Sequence, residues 1–402
     1  AYYISRLGTT QLAAISYTFP VTYGIFSIFI GFGVATSSVI SRMIGEKRTE
    51  DIKRVASHSL LIVLMVSAFF AILGLLILTP LFRSMGANPE QIAMIKDFMV
   101  PYLIGTFFVS MPVVGNATLR ASGDAITPAI IMTIAALTNA IINPFLIFGL
   151  WGFPRMELMG AAIGTIFANI FAMSACIYLM HKRGMIDIAH IKNVLHFGNS
   201  AKRLLIIALP VGITSMLPSL LGATANHLLS QTGPEAVAAL GAATRLEAFL
   251  LVILMALSIG MGPIIGQNWG AGHMARVKDA VKYALIFSVV WSISSAIIIA
   301  GLALPIAHLF SSDVLVQHYL TLYLWIVPAT YCLGHLTHGW SSTFNAIGKP
   351  QISSSMLFIK IVILSIPAMW IGYHLSGAGG VFFGIAAVNV LTGFAYHFWA
   401  WN

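Results

Sequence analysis

The sequence has very few charged residues: only 8% of its 402 residues are Asp, Glu, Lys or Arg, whereas about 25% is usual in a soluble domain. Together with a hydrophobic fraction of 58%, this scarcity excludes a soluble globular protein and a disordered chain. The two cysteines, Cys176 and Cys332, both lie in apolar runs, so a disulfide scaffold is excluded as well. Glycine shows no three-residue period, which excludes a collagen-like chain.

Long apolar runs are abundant instead. A bilayer core of about 30 Å is crossed by about 20 apolar residues in a helix. Residues 1–5 are apolar and lead into a turn-like Leu7-Gly8-Thr9-Thr10, so we expect them to be the end of a further, almost wholly missing first helix. The sequence therefore predicts an all-α, multi-pass membrane protein, with eleven runs of spanning length at approximately 12–41, 55–78, 98–119, 125–150, 159–180, 204–229, 237–265, 283–304, 319–344, 352–373 and 381–401.

The distribution of Lys and Arg predicts the orientation of these helices. The positive-inside rule places connections rich in Lys and Arg in the cytoplasm. The opposite connections hold only Arg6, Arg83, Lys96 and Arg155. No aromatic residues alternate with the basic ones, so the net charge of +9 does not indicate a nucleic-acid partner. The predicted cytoplasmic set is Arg42, Lys47, Arg48, Lys53, Arg54, Arg120, Lys182, Arg183, Lys192, Lys202, Arg203, Arg276, Lys278, Lys282 and Lys349.

An internal duplication is visible in the sequence. A shift of 225 positions, for example from 120 to 345, superimposes Arg120-Ala121-Ser122-Gly123-Asp124 on Asn345-Ala346-Ile347-Gly348-Lys349 without a gap. A slightly smaller shift carries Gly160, Gly164 and Asn169 onto Gly380, Gly384 and Asn389. The shift corresponds to six helices, so both copies cross the membrane with the same polarity. We predict two parallel-repeat six-helix lobes, residues 1–180 and 204–402, joined by a cytoplasmic connector at 181–203.

Five motifs occur along the chain in a characteristic order and spacing. They are Ser5-Arg6-Leu7-Gly8-Thr9 leading to Leu12-Ala13-Ala14, Arg120-Ala121-Ser122-Gly123-Asp124, Thr138-Asn139-Ala140-Ile141-Ile142-Asn143-Pro144, Gly160-Ala161-Ala162-Ile163-Gly164-Thr165 and Gly266-Gln267-Asn268-Trp269-Gly270-Ala271-Gly272. Over essentially the whole chain, these motifs resemble the multidrug and toxic compound extrusion (MATE) transporters. The resemblance is closer to the proton-coupled bacterial branch.

The resemblance implies two six-helix lobes around a V-shaped central cavity in the inner (plasma) membrane. It implies a multidrug efflux antiporter, not an enzyme, that exports amphipathic and mostly cationic or aromatic drugs in exchange for protons. The expected partners are the lipid bilayer, these small molecules and protons. No cofactor and no metal are expected, and we expect a monomer.

An antiporter needs an ionisable group within the membrane whose charge is coupled to substrate binding. Eleven of the twelve acidic residues fall in connections or at helix ends, and only Glu247 lies plainly inside a predicted span, about three turns from its outer end. Arg245 is two residues away, on a different helix face, so a close ion pair with Glu247 is not expected. Glu247 is a candidate for ion coupling, and a structural hydrogen-bonded role is the alternative.

Asn139 and Asn143 are spaced i, i+4 and share one face of a predicted helix. Members of the resembled family carry an Asp in the first helix, which by that register would immediately precede Ala1. Two amides on one intramembrane face can hydrogen-bond a carboxyl in either protonation state. The pair is therefore predicted to form a coupling and substrate site with Tyr102 and Thr165, which match family positions nearby; the alternative is that the asparagines only hold helices together.

Protons are favoured over sodium as the coupling ion. Many relatives have a second Asp where Asn143 stands. The sodium-coupled branch also places carboxylates at positions that we match to Pro218 and Lys349, neither of which can bind a cation. A sodium-coupled drug antiporter remains an alternative.

Prolines within spans predict bends, because proline removes a helix hydrogen bond and clashes with the carbonyl four residues back. Pro20 and Pro144 are the helix-bending candidates, and Pro144 would leave the carbonyl of Ala140 free beside the proposed site. On another span, His335 and His338 are spaced i, i+3 and could relay protons or hold a metal, yet two ligands do not complete a metal site.

Three other functions are alternatives to drug export. A lipid-linked oligosaccharide flippase of the same superfamily would need cavity cations to hold a pyrophosphate, and Arg245 is the only one that we expect mid-chain. An intramembrane enzyme would need a site, but the sequence has no His-Glu-x-x-His, no Gly-x-Ser-x-Gly and no Asp pair. A channel would leave the duplication unexplained and lacks a filter-like Gly-Tyr-Gly motif.

Overall fold

A computed structural model describes residues 2–187 and 196–401, which are almost entirely helical. The predicted connector 181–203 lies partly outside these residues. The chain divides into two compact units, Ala1–Gly212 and Ile213–Asn402. The division falls within a helix, after the predicted start of the second lobe at 204. Residues up to Gly212 belong to the first unit because the backbone there packs closely on Gly31.

The first unit contains eight of the described helices. Asn88 caps one helix through a reciprocal hydrogen-bond pair with Gln91, and Pro89 follows at its first position. The helices are α1 (Tyr2–Ser5), α2 (Thr9–Gly45), α3 (Thr49–Ser84), α4 (Pro89–Ile104), α5 (Thr106–Ala121), α6 (Ile126–Phe148), α7 (Glu157–Lys182) and α8 (Phe197–Thr214), the last of which ends two residues into the second unit.

The second unit continues with α9 (Leu217–Ser230), α10 (Pro234–Gly270), α11 (Met274–Phe310), α12 (Val314–Ile326), α13 (Tyr331–Ala346), α14 (Pro350–Phe358), a π-helical segment (Ile359–Ser365) and α15 (Ile366–Trp401). Two breaks shape it. A 3₁₀ turn at Pro328–Thr330 separates α12 from α13, and α15 folds back at Ser376 and Gly377, where φ of the glycine is 60°.

Helices of membrane-spanning length are confirmed. In the described residues, eight helices are long and apolar enough to cross a bilayer, or nine when α4 and α5, bent by 47°, form one span. The sequence predicted eleven runs because it separated the two halves of α15 at Gly377 and treated 319–344 as one run, which the break at Pro328 divides into the two shorter helices α12 and α13. The most apolar window of α3 has a mean hydropathy of 3.0 and is only 22% buried inside the protein, as expected for a lipid-facing helix.

The helix bounds repeat with the same offset of 225 that the sequence showed. Helix α2 (Thr9–Gly45) corresponds to α10 (Pro234–Gly270), and α5 (Thr106–Ala121) corresponds to α13 (Tyr331–Ala346), residue for residue. The turn after each of the latter pair uses a glycine with positive φ, 94° at Gly123 and 81° at Gly348, a conformation that L side chains rarely adopt. The two units are therefore copies of one helical plan.

Candidate functional site

A chain of polar side chains joins α6 to α7 in the first unit. Asn143 Nδ2 donates to Asn139 Oδ1 at 3.0 Å, and Asn139 Nδ2 donates to Thr165 Oγ1 at 3.3 Å. The Thr165 hydroxyl in turn donates to the carbonyl of Ala161 at 2.9 Å. The structure thus brings together Asn139, Asn143 and Thr165, three of the side chains predicted for the site, and none of them carries a charge.

Gly164 makes room for this cluster. A methyl group at position 164 would collide with Asn143 Oδ1, so the observed position of the Asn143 amide depends on glycine there. Asn143 Oδ1 is buried, and no described residue donates a hydrogen bond to it. A buried acceptor without a donor is costly, by about 1–3 kcal/mol. The cluster therefore favours a ligand or a side chain that supplies an N–H or O–H donor.

The two prolines predicted to bend helices lie inside continuous helices. Pro20 is in α2 and Pro144 in α6, directly after Asn143. The Ala140 carbonyl, which proline at position 144 deprives of its helix partner, accepts a hydrogen bond of 3.2 Å from the Tyr3 hydroxyl. This contact links α1 to α6 one turn from the amide cluster.

Tyr102 belongs to an apolar neighbourhood. It is buried, its ring stacks on Phe98 with 5.7 Å between centroids, and it shares a small core with Val109 and Ala162. Ala162 lies one turn before Thr165 on α7, so Tyr102 packs on the helix that carries part of the cluster. Its backbone carbonyl accepts from Thr106 at 3.0 Å.

Glu247, the predicted intramembrane acid, lies in the second unit. Tyr323 on α12 donates a hydrogen bond of 2.9 Å to Glu247 Oε2. Arg245 is exposed and forms no ion pair with Glu247 in the described structure. Tyr323 was not singled out from the sequence, because a residue 76 positions away gives no local signal.

Lys360 corrects the expectation that Arg245 is the only cation mid-chain. It lies inside the predicted span 352–373, in the π-helical segment, and only 8% of its surface is exposed. Its Nζ donates to the Gly334 carbonyl at 3.3 Å. The neighbouring His335 and His338 have ring centroids 5.5 Å apart. The sequence does carry a signal for Lys360, because this lysine stands inside an apolar run of spanning length.

The two positions matched to carboxylates of sodium-coupled relatives lie at the starts of helices. Pro218 is in the first turn of α9, and Lys349 is exposed at the start of α14. In the described residues, His, Cys, Asp and Glu form no group of three or more that could hold a metal.

Comparison with known proteins agrees with this architecture. The family model described as MatE matches residues 1–145 and 210–371. A protein of Shewanella oneidensis named "FAD transporter" is 36% identical, covering 99% of this chain and 88% of its own length. The "Multidrug export protein MepA" of Staphylococcus aureus is 27% identical, covering 98% of this chain and 86% of its own.

Among solved structures, the Vibrio cholerae MATE transporter VcmN in its bent form superimposes with a TM-score of 0.93. It is 28% identical, and the alignment covers 99% of this chain and 89% of VcmN. The structural similarity therefore extends over both units of the chain.

Proposed function

The chain belongs to the MATE family of multi-pass membrane transporters, and from this premise we propose that it exports amphipathic, mostly cationic aromatic compounds in exchange for protons. The observation that carries the proposal is the uncharged amide cluster of α6 and α7 with its unused acceptor, Asn143 Oδ1. An ammonium N–H of a cationic drug and the O–H of a protonated carboxyl can both supply the missing donor.

Competition between these two donors is the basis of exchange. When the carboxyl implied by the family is ionised, a cationic amphiphile is attracted to it and to the amide oxygens. When the carboxyl is protonated, its charge disappears and its O–H can satisfy the same oxygens. A ligand shifts an equilibrium only by its differential affinity for the two states, so proton and drug must exclude each other at this site.

Protons suit the described residues better than sodium. Sodium prefers carboxylate oxygens, and the positions that would supply them hold Asn143, Pro218 and Lys349. Glu247 offers a single carboxylate, held by Tyr323. One carboxyl can gain or lose a proton, whereas a sodium cage needs several oxygen ligands.

The test is transport by the full-length protein, with its natural N-terminus, in liposomes. Ethidium uptake is followed under an imposed proton gradient and, separately, under a sodium gradient. We expect uptake only with protons, and we expect the double variant Asn139→Ala/Asn143→Ala to lose it. The matched control is Asn268→Ala, which removes a half-buried amide whose described side-chain hydrogen bond goes to the Ile264 carbonyl of its own helix. Full export by the double variant would refute the assignment of the site.

A second candidate substrate is a flavin dinucleotide. The chain is more similar to the relative named FAD transporter than to the relatives named as drug exporters, and a buried cation, Lys360, is available for an anionic substrate. The same liposomes loaded with FAD test this candidate directly. Transfer of headgroup-labelled lipid in place of either substrate would support the flippase alternative instead.

A further inference from the structure

Lys360 lies deep within a membrane-spanning segment. It is ten residues from Pro350, the first residue of α14, which corresponds to about 15 Å of helix and half of a bilayer core. The segment Ile359–Ser365 is π-helical, and the Ser365 hydroxyl donates to the Lys360 carbonyl at 2.8 Å. Single π-helical turns of this kind occur frequently at functional sites.

No counter-charge accompanies the Lys360 ammonium. Among the described residues, no carboxylate lies within ion-pair distance of Nζ. Glu247, the one acid in the interior of a described span of this unit, is held by Tyr323. Of the three donors of the ammonium, one is directed to the Gly334 carbonyl. A buried cation with spare donors and no anion is costly unless a ligand supplies the negative charge.

Two histidine side chains near Lys360 can also contact a ligand. His335 is half-buried and His338 is exposed, one turn apart on α13, with 5.5 Å between their ring centroids. Lys360 Nζ donates to the carbonyl of Gly334, the residue before His335, at 3.3 Å, so three nitrogen-bearing side chains lie in one region with no acid among them. We propose that Lys360, His335 and His338 form a binding site for the phosphate group of an anionic ligand, either a soluble nucleotide or a lipid headgroup.

The site is specific to the second unit. The offset of 225 places Lys360 on Ala135, His335 on Ser110 and His338 on Val113, so the first unit has no ionisable side chain at any of the three positions. The corresponding segments of the two units therefore differ. In the first unit, α6 carries the amide pair Asn139 and Asn143, and in the second unit the corresponding segment carries the buried cation Lys360. This proposal refines the second candidate function, transport of a flavin dinucleotide. It rests on that function only for the identity of the transported substrate, because binding is measurable without a gradient.

The test measures equilibrium binding to the full-length protein in phosphatidylcholine nanodiscs. Riboflavin and flavin mononucleotide differ by one phosphate, so their affinity ratio isolates its contribution. We expect flavin mononucleotide to bind at least tenfold more tightly than riboflavin. Lys360→Met should abolish this preference and Lys360→Arg should retain it. The matched control Lys282→Met removes an exposed lysine on α11 and should leave the preference unchanged.

A second arm needs no flavin. Inorganic pyrophosphate should raise the thermal midpoint of the native protein but not that of Lys360→Met. If Lys360→Met fails to fold, His338→Gln provides the same comparison at an exposed position, with a partial loss expected. Repeating the titration in phosphatidylglycerol nanodiscs identifies the source: suppression of the pyrophosphate effect assigns the site to a lipid headgroup, and an unchanged effect assigns it to a soluble phosphate.

Pyrophosphate stabilisation and a flavin preference that both survive Lys360→Met would overturn the proposal, as would the absence of both from the native protein in phosphatidylcholine. Failure of proton-driven ethidium transport would not overturn the phosphate-site proposal, because that transport assay tests the amide cluster of the first unit.

Discussion

Tyr323 on α12 donates a hydrogen bond of 2.9 Å to Glu247 on α10, joining residues 76 positions apart. Glu247 is 13 residues into α10, about 20 Å from its start at Pro234. The bond fixes the orientation of a carboxylate within the span and satisfies one of its oxygens. The second unit thus holds an ionisable group whose protonation state can be tested independently of the amide cluster.

Replacing Glu247 by Gln should separate charge from structure. The amide keeps an oxygen that accepts from Tyr323 but cannot bind or release a proton. If Glu247 takes part in coupling, proton-driven ethidium uptake falls at least tenfold while the thermal midpoint changes little. The measurement is uptake by proteoliposomes alongside thermal unfolding.

Tyr323→Phe is the companion variant. It leaves the charge and removes the donor, so we expect a loss of about 1–3 kcal/mol in the free energy of unfolding. Uptake by Glu247→Gln at the native rate would leave Glu247 with a structural role only.

Gly164→Ala should damage the amide cluster without replacing any of its polar side chains. The added methyl collides with Asn143 Oδ1, so either the Asn143 side chain or the α6–α7 contact must move. We expect export to fall about as far as in Asn143→Ala. Gly222→Ala is the matched control, because a methyl there meets no atom within 4 Å and alanine favours a helix. Equal export by the two alanine variants would show that the close packing at Gly164 is unimportant.

The Asp124–Arg183 pair predicts a pH dependence of stability outside the membrane. Burial opposes ionisation of Asp124, but hydrogen bonds from Thr127 and Arg183 and the Arg183 charge outweigh it, lowering the pKa of Asp124 to about 2. The folded-state pKa is below the unfolded value of about 3.9, so the pair stabilises the protein above pH 4 and this contribution is lost as the pH falls towards 2.

Asp124→Asn keeps an oxygen that can cap the Thr127 N–H and removes the charge. Since Arg183 is 37% exposed, we expect the variant to lose no more than about 1 kcal/mol at pH 7. Thermal midpoints of both proteins measured from pH 7 to pH 2 should converge at the acid end. A difference that stays constant over this range would contradict the charge pairing.

Gly380→Ala should destabilise the second unit strongly. The two halves of α15 pack so closely that a methyl on Gly380 would overlap the carbonyl of Gly372, and backbone cannot rotate away as a side chain can. We expect a loss of about 3 kcal/mol in the free energy of unfolding. Gly301→Ala on α11, where a methyl would meet no atom within 4 Å, should be neutral or stabilising. Comparable midpoints for the two variants would show that the helices can separate at little cost.

The membrane class, the helices and the duplication were predictable from the sequence alone. Apolar runs of spanning length are stable only in a bilayer. The gapless offset of 225 found in the sequence appears again in the bounds of α2 and α10. The i, i+4 spacing of Asn139 and Asn143 was sufficient to place both on one face, because helix periodicity is local. These features depend on neighbours along the chain, which the sequence displays.

Tertiary structure decided which distant groups meet. The Asn139–Thr165 bond depends on how closely α6 and α7 pack at Gly164, and the Glu247–Tyr323 bond depends on the approach of α10 to α12. Lys360 was visible as a residue, yet its burial and its place beside His335 depend on the π-helical turn and on α13. Periodicity gives the face of a helix, but only the packing of helices gives the partner on that face.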